Sequence, residues 1–588
     1  MAVLTKHRCL ALFAFGYVII TMKLAIWHQG CTSMDEIGQP SEKKPYDDEI
    51  SVRDPSNPEG IAKPPNGQQE ITVDTYDHQT FLKSTFVPNT IHYVWCGKRW
   101  FEFVHYMSMK SVIREIRPDL IYFHYNFKPV VDEWIYNTWF REIRKEYPFI
   151  RMRQSYPEEK MCLDHARPNN EFIYSQLTRS GGIYVHEITW FLRFPIGYRN
   201  YTFIKAKDAE TNYGFLLAQR GYPGNKSLAE ILDDKHLKTR YSRCQSHRSI
   251  ETLKPGKYVK SPICISVEEK TLFPKDIWKR DDEFGRIARR IFYESPEIPE
   301  AKPSYDVLVP NIAHIVWIGG GTMDFLFYLS VLSLLHIVKV EALYIHGDAP
   351  PTGPYWNRVK DHPRLHHIFR ETPHDVFGTR VQVLSHVTDV WRVDLMIRYG
   401  GIYVDTDTAF VRPLDRDIRA YDAVAAYDWT YWNHPFPDTI NFGVTIGKKN
   451  ATYWRMFQRT MRWWIDKDWS WNGLRRPYKV LERHPDLIRI DPRMQMTCFE
   501  CKCHPTWHPD YHKEDVHHLN TNSIKDWRKD IYAFHWTLPT PFELLNETTL
   551  YHSNTMFAEI GKFILQEAGV NITNYASKTK IRVPPGRC

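Results

Sequence analysis

GGIYVDTDTAF, running from Gly400 to Phe410, has a near copy in the same chain: GGIYVHEITWF, from Gly181 to Phe191. Both open on Gly-Gly-Ile-Tyr-Val and close on Thr-x-Phe. A glycine pair stops a helix, and the short apolar run behind it reads as a buried strand. The copies part where Asp405 and Asp407 of the second stand against His186 and Ile188 of the first. One chain thus carries the same strand twice and ends it in two carboxylates only once.

The repeat extends outward. VPNTIHYVWCGK (Val87 to Lys98) matches VPNIAHIVWIGG (Val309 to Gly320) at an offset of 222 residues, each a β-rich run that stops at Trp-x-Gly. Trp95 precedes Gly181 by 86 residues and Trp317 precedes Gly400 by 83, and later NYGF at Asn212 echoes NFGV at Asn441. Three phrases in one order at similar spacing imply two tandem copies of one fold, 87–300 and 301–588, joined near SPEIPEAKPSYD (Ser295 to Asp306). Strands alternate with helical stretches in each, so the expected class is α/β. A length of 588 residues exceeds what a single core fills.

Ahead of the repeat, Thr5 to Arg8 forms a basic flank to the apolar run from Cys9 to Trp27. The expectation is a cytosolic tail (1–8), a transmembrane signal anchor (9–27) and a Pro- and charge-rich stem (28–86), with the body lumenal. A cleaved signal peptide is the competing reading, but no small-x-small site follows the apolar run. Five Asn-x-Ser/Thr sequons, at Asn200, Asn225, Asn450, Asn546 and Asn571, suit a lumenal body. Setting Cys9 and Cys31 aside leaves eight of the ten cysteines for disulfides, and Cys31 is the residue through which a dimer would form. Aromatic content is 14%, which large cores explain for the most part. The net charge of +8 is spread along the chain with no basic run, which excludes a nucleic-acid reading.

The chemistry gathers in SHVTDVWRVDLMIRYGGIYVDTD (Ser385 to Asp407). Ser385 is the expected N-cap of a helix that carries Asp389 and Arg392 at i,i+3 and ends at Gly400-Gly401. The strand then delivers Asp405 and Asp407 to its carboxyl end, where open α/β sheets bind ligands. Two carboxylates one residue apart converge on a hard cation, and Mg²⁺ or Mn²⁺ commonly bridges carboxylates to substrate phosphates. Alone, Asp-x-Asp reads as turn-forming or helix-capping aspartates, and the helical pair as a surface ion pair worth little. The glycine pair, strand and helix together favour the functional reading.

This block resembles the DXD sugar-binding glycosyltransferases of the GT-A type, the group with the α1,4-galactosyltransferases and the yeast Golgi α1,6-mannosyltransferase. It is also similar to the glucosyltransferase domains of large clostridial toxins. Asp389, Arg392, Gly400, Gly401 and Asp405 keep that family's spacing. HIVWIGG (His314 to Gly320) resembles the family's first strand, and YAFHWTLP (Tyr532 to Pro539) its closing His-Trp segment. The resemblance implies that Asp405, Asp407 and His535 hold Mn²⁺ (or Mg²⁺) against the diphosphate of a UDP-sugar. It implies a donor-binding set of Trp317 on the base, Asp389 and Arg392 on the sugar hydroxyls, and Gly401 and Asn441 beside them. It also implies a retaining transfer to a glycan acceptor. No nucleophile can be nominated from the residues.

Aligned on the glycine pair, Asp389 falls on Asn170, Arg392 on Ile173, Asp405 on His186 and Asp407 on Ile188. What a strand–turn–helix needs survives in the first copy, and what only chemistry needs is gone. The first copy is expected to be a non-catalytic domain of the same fold. Cys498, Cys501, Cys503, His504 and His508 form a separate cluster that would suggest zinc in a cytosolic chain and disulfides in an oxidising lumen. A zinc hydrolase lacks its H-E-x-x-H signature. The expectation is a Golgi type II glycosyltransferase transferring a hexose or N-acetylhexosamine. The rival is an inactive carbohydrate-binding or scaffolding protein, against which four intact donor-handling residues speak.

Overall fold

The computed structural model describes residues 86–130, 136–155, 160–164, 167–207, 213–222, 239–251, 262–269, 271–428, 436–495, 526–535 and 545–575. The expected anchor and nearly all of the stem, Cys31, Asn212, Asn225, the cluster at 498–512 and Cys588 lie outside them. Among the described residues no helix is long and apolar enough to cross a membrane.

Two seven-stranded mixed sheets dominate. Numbering the strands of each sheet in chain order, both are arranged 3-2-1-4-6-5-7. In the first, Thr90–Trp95 lies between Leu120–Tyr125 and Gly182–Val185, both parallel to it, and Tyr213–Ala218 runs antiparallel to the latter. In the second, Ile312–Val316 lies between Ala342–Gly347 and Gly401–Val404, with Ile440–Gly447 antiparallel to the latter. Parallel strands with helical crossovers bury both faces, which explains the continuous apolar runs read from the sequence.

A buried histidine relay recurs in both sheets. His314 Nδ1 lies 2.9 Å from His346 Nε2, and its own Nε2 lies 3.1 Å from the Gly400 carbonyl. His92, His124 and Gly181 repeat this at 3.1 Å for each contact. Desolvation holds the four rings neutral, lowering His314 to about 4, His346 to about 2, His92 to about 4 and His124 to about 3.

The halves are not separate bodies. One hydrophobic core runs from Ile91, Trp95 and Trp139 through Phe292 to Trp391, Trp454 and Tyr478. Across the seam, Arg483 pairs with Glu142, and its Nη1 donates to Tyr106 Oη at 2.9 Å. Fully buried Glu482 accepts from Tyr136, and its carbonyl accepts from Tyr293 at 2.8 Å. The described residues accordingly fall in one compact unit, His78–Cys588. Among the described residues, the disulfides Cys96–Cys162 and Cys244–Cys264 cross-link the first half.

Candidate functional site

The helix Leu384–Arg398 starts otherwise than the sequence suggests. Its cap position is Val383, and Ser385 lies inside the first turn. The N–H groups of Gln382 and Val383, which precede the first turn, donate to Asp466 at 2.6 and 3.1 Å, and His386 Nδ1 meets the same carboxylate at 2.8 Å. Among the described residues no side chain caps the helix itself, and a carboxylate placed at its start is favoured by the positive end of the helix dipole.

At the other end the glycine pair acts as expected. Gly400 and Gly401 take φ of +68° and +103°, and a Cβ there would strike Lys449 N at 2.5 Å and Ile312 O at 2.6 Å. The strand Gly401–Val404 then runs to the point where the sheet order reverses, the usual ligand position of such sheets. The Asp405 N–H donates to Gly443 O at 2.7 Å, and the chain turns at once, with Thr408 N–H and Oγ1 donating to Asp405 O at 3.2 and 2.7 Å. Asp405 and Asp407 therefore stand in a tight turn at the carboxyl edge.

The next strand, Thr408–Phe410, pairs antiparallel with Ala533–His535 and sets His535 opposite Thr408. That register brings His535 Nε2 to 3.2 Å from Asp407 Oδ1. One ligand atom from each of Asp405, Asp407 and His535 lies within 4.8 Å of the others. His535 Nδ1 is buried with no hydrogen-bond partner, while 42% of the Asp407 side chain remains exposed. An imidazole and two carboxylates, open on one side, fit a divalent cation that keeps positions for a substrate. Burial raises the Asp405 pKa, opposed by Arg392 and reinforced by Asp407. Burial lowers that of His535, but Asp407, Asp405 and Asp428 outweigh it and the net direction is upward.

Asp389 and Arg392 form no surface pair. Both are buried, at 8% and 6% exposure. Arg392 Nη1 donates to Asp389 Oδ1 at 3.2 Å, its Nη2 donates to Asp405 Oδ1 at 3.1 Å, and its guanidinium lies 4.5 Å from the Tyr403 ring centre. One cation thus locks the helix carboxylate to the first carboxylate of the turn. Gly473 makes room for it, since a Cβ there would lie 2.7 Å from Asp389 Oδ1.

Asn441 is held beside the cluster. Its Oδ1 accepts from Gly443 N at 2.7 Å and from Gln495 Nε2 at 2.8 Å, and its Nδ2 donates to Asp428 at 3.2 Å. Gly443 lies against His535, where a Cβ would come within 2.5 Å of Cε1. Trp317 follows the adjacent strand and packs on Phe327, with ring centres 5.1 Å apart, and beside Gly321. No described contact joins Trp317 to the carboxylates. Gly401 is not brought to the site: it opens the strand that Asp405 follows, and its missing side chain accommodates the backbone of Ile312.

The corresponding place in the first half is filled. Arg99 stacks 3.6 Å above Trp95 and pairs with Glu187, which also lies 3.7 Å from His105. Burial pushes the Glu187 carboxyl up, but His105 and Arg99 prevail and hold it at about 2. By the 222-residue offset Arg99 stands where the second half has Gly321, which lies beside Trp317.

Asp466, Gly473, Gln495 and Gly443 were not among the expected site residues. Of these only Gly443 carried a signal, as the glycine of the repeated Asn-x-Gly phrase.

Residues 313–425 match the family model described as a glycosyltransferase sugar-binding region containing a DXD motif. The chain is 24% identical over 292 residues to glucan organizing enzyme 1 of Cryptococcus neoformans var. grubii serotype A, covering 48% of this chain and 73% of that one. Among solved structures it is similar to the galactosyltransferase LgtC bound to donor and acceptor analogues, at 14% identity and a TM-score of 0.23 over 44% of this chain and 95% of that one. It is also similar to the glycosyltransferase GlyE of Streptococcus pneumoniae TIGR4, at 10% identity and a TM-score of 0.20 over 54% of this chain and 91% of that one. The matched region holds Asp389, Arg392 and the Asp405-x-Asp407 turn, so this segment of the chain is similar to the sugar-binding region of glycosyltransferases that carry the DXD motif.

Proposed function

We propose that this glycosyltransferase moves a hexose or N-acetylhexosamine from a UDP-sugar to a glycan acceptor, with Mn²⁺ held by Asp405, Asp407 and His535. The carrying observation is the convergence of these three ligand atoms within 4.8 Å, tied through Arg392 to Asp389. A divalent cation bound there would supply Lewis-acid stabilisation of the diphosphate leaving group. Arg392 fixes the Asp405 carboxylate and delivers fixed positive charge to the same pocket, where charge grows as the anomeric C–O bond breaks. Asp389 offers its remaining lone pairs to sugar hydroxyls. Gln495 holds the Asn441 amide in one orientation, so its contact to a sugar would be specific. Trp317 carries the base, and its strand, similar to that of UDP-sugar users, supports UDP over GDP. The stereochemical course is proposed to be retention.

Of the two halves, each proposed to be a GT-A-like domain, the first is a non-catalytic partner whose cleft is filled by its own Arg99–Glu187 pair and whose helices share a core with the second. The chain is proposed to sit in the Golgi membrane by residues 9–27, body lumenal, with Cys31 available for a dimer. The test is incubation of the purified protein with a panel of UDP- and GDP-sugars in Mn²⁺, scoring donor hydrolysis and transfer. Turnover of a UDP-sugar that EDTA or Asp405→Ala abolishes supports the reading. Turnover indifferent to both would refute the metal role, and no turnover with any donor would favour an inactive sugar-binding protein.

A further inference from the structure

A second ligand set stands in the first half, away from the Asp-x-Asp turn. His247, Glu251 and Glu269 bring one ligand atom each to within 4.8 Å of one another. His247 is buried, at 3% exposure, whereas Glu251 is half-buried and Glu269 exposed. The parallel pairing of Gln245–Ser246 with Cys264–Ser266, braced by the Cys244–Cys264 disulfide, fixes the histidine's backbone, and His247 N donates to Ser266 O at 3.0 Å.

The imidazole is oriented as a ligand is. Nδ1 lies 3.3 Å from the Ser266 carbonyl and 3.4 Å from the Glu268 N–H. When Nδ1–H donates to the nearer carbonyl, Nε2 is left with its lone pair toward the carboxylates. Among the described residues Nε2 makes no hydrogen bond, its nearest carboxylate oxygen being Glu251 Oε1 at 4.0 Å. That gap is too long for a hydrogen bond and leaves Nε2 open toward the carboxylates. Arg280 Nη2 grips the same Glu251 oxygen at 2.6 Å while its Nε holds Asp282 at 2.5 Å. A carboxylate so anchored keeps its second oxygen free for a metal, as ligating carboxylates are themselves hydrogen-bonded from outside.

We propose that His247, Glu251 and Glu269 form a divalent-cation site, with Zn²⁺ preferred over Mn²⁺ because a mixed nitrogen–oxygen set binds it more tightly. The ion would tie the short helix Arg248–Glu251 to the chain leaving Cys264–Ser266, with open positions for water on the Glu269 side. This site is independent of the transfer reaction.

The test is Zn²⁺ binding by equilibrium dialysis with elemental analysis, on full-length protein stripped of metal, in the parent and in an Asp405→Ala/Asp407→Ala background. His247→Ala and Glu269→Gln should each remove one bound Zn²⁺ per chain, or weaken it at least about tenfold, the scale on which even outer partners act. They should also abolish a Zn²⁺-induced rise in melting temperature. Glu269→Gln alters an exposed group, so its result does not depend on a refolded core. Unchanged Zn²⁺ number and affinity in both variants would overturn the proposal and leave an ion-pair network only, as would a loss of fold in His247→Ala while Glu269→Gln binds as the parent does.

Discussion

Replacing Gly473 by alanine should damage the proposed donor site while leaving the fold intact. The backbone of Trp471–Arg475 is helical at this position, and alanine is the better helix residue by up to about 1 kcal/mol, so local propensity favours the variant. The new Cβ, however, would lie 2.7 Å from Asp389 Oδ1 and 2.8 Å from Oδ2, against an ordinary contact of 3.4 Å. The carboxylate must yield by about 0.7 Å, since the helix it faces is packed on both sides. The Arg392–Asp389 bond, 3.2 Å in the native site, then passes beyond hydrogen-bonding distance and Arg392 loses one of its two carboxylate anchors. A charge-assisted bond in a buried setting is worth about 1.5–3 kcal/mol, which corresponds to roughly 10- to 150-fold in kcat/KM if all of it is felt in the transition state. The assay is nucleotide release from the donor selected by the panel, with thermal melting on the same preparation. A comparison variant is Gly197→Ala, where no atom lies within 4 Å of the new Cβ. Wild-type kcat/KM in Gly473→Ala would refute the proposed dependence on the Asp389–Arg392–Asp405 chain, and so would a loss of activity that only follows a loss of folded protein.

Gly443→Ala places a Cβ 2.5 Å from His535 Cε1, so metal-dependent turnover should fall at least about tenfold while apparent metal affinity weakens; an unchanged metal titration would contradict the ligand role of His535. Trp95→Ala empties a fully buried position and should cost roughly 3–5 kcal/mol of stability in urea, with kcat per folded molecule retained. His186→Ala should leave both stability and transfer near wild type; lost transfer at full stability would mean a working first site. The four relay histidines have folded pKa values of about 4, 3, 4 and 2, all below the ordinary 6.5, so the unfolded chain binds more protons once the pH drops below that value. Their contribution is whole above pH 6.5 and is lost on acidification, by at most about 2 kcal/mol per histidine between pH 7.5 and 5. Urea unfolding across that range checks it, and stability that rises toward pH 5 would contradict it.

The features legible in the sequence are those settled by short-range constraints. A positive-φ glycine pair between helix and strand admits no substitute, so Gly181 and Gly400 mark the repeat plainly, and Asp405 and Asp407 follow within seven residues. The strands beneath them are apolar runs because both faces are covered. His535 stands 128 residues beyond Asp407 and reaches it only through the Thr408–His535 ladder, so resemblance alone could point to it. Asp389 and Arg392 at i,i+3 look like any surface pair, and what makes them otherwise is burial by Gly473 and Tyr403, which spacing does not encode. Ser385 is not the cap because the helix begins one residue before it, and the Asp466 carboxylate that meets the helix start lies 80 positions beyond His386. The shared core was equally hidden: tandem phrases announce two copies, but the Arg483–Glu142 and Tyr136–Glu482 contacts that fuse them carry no local pattern.

The most direct measurement is calorimetric titration of the donor UDP-sugar into the full-length protein with and without Mn²⁺, in the wild type, in Asp405→Asn/Asp407→Asn and in His186→Ala/Glu187→Ala. One Mn²⁺-dependent binding event per chain is predicted in the wild type, abolished in the second protein and preserved in the third. Binding that survives Asp405→Asn/Asp407→Asn, or that disappears with His186→Ala/Glu187→Ala, would contradict the assignment of the donor site to the second half.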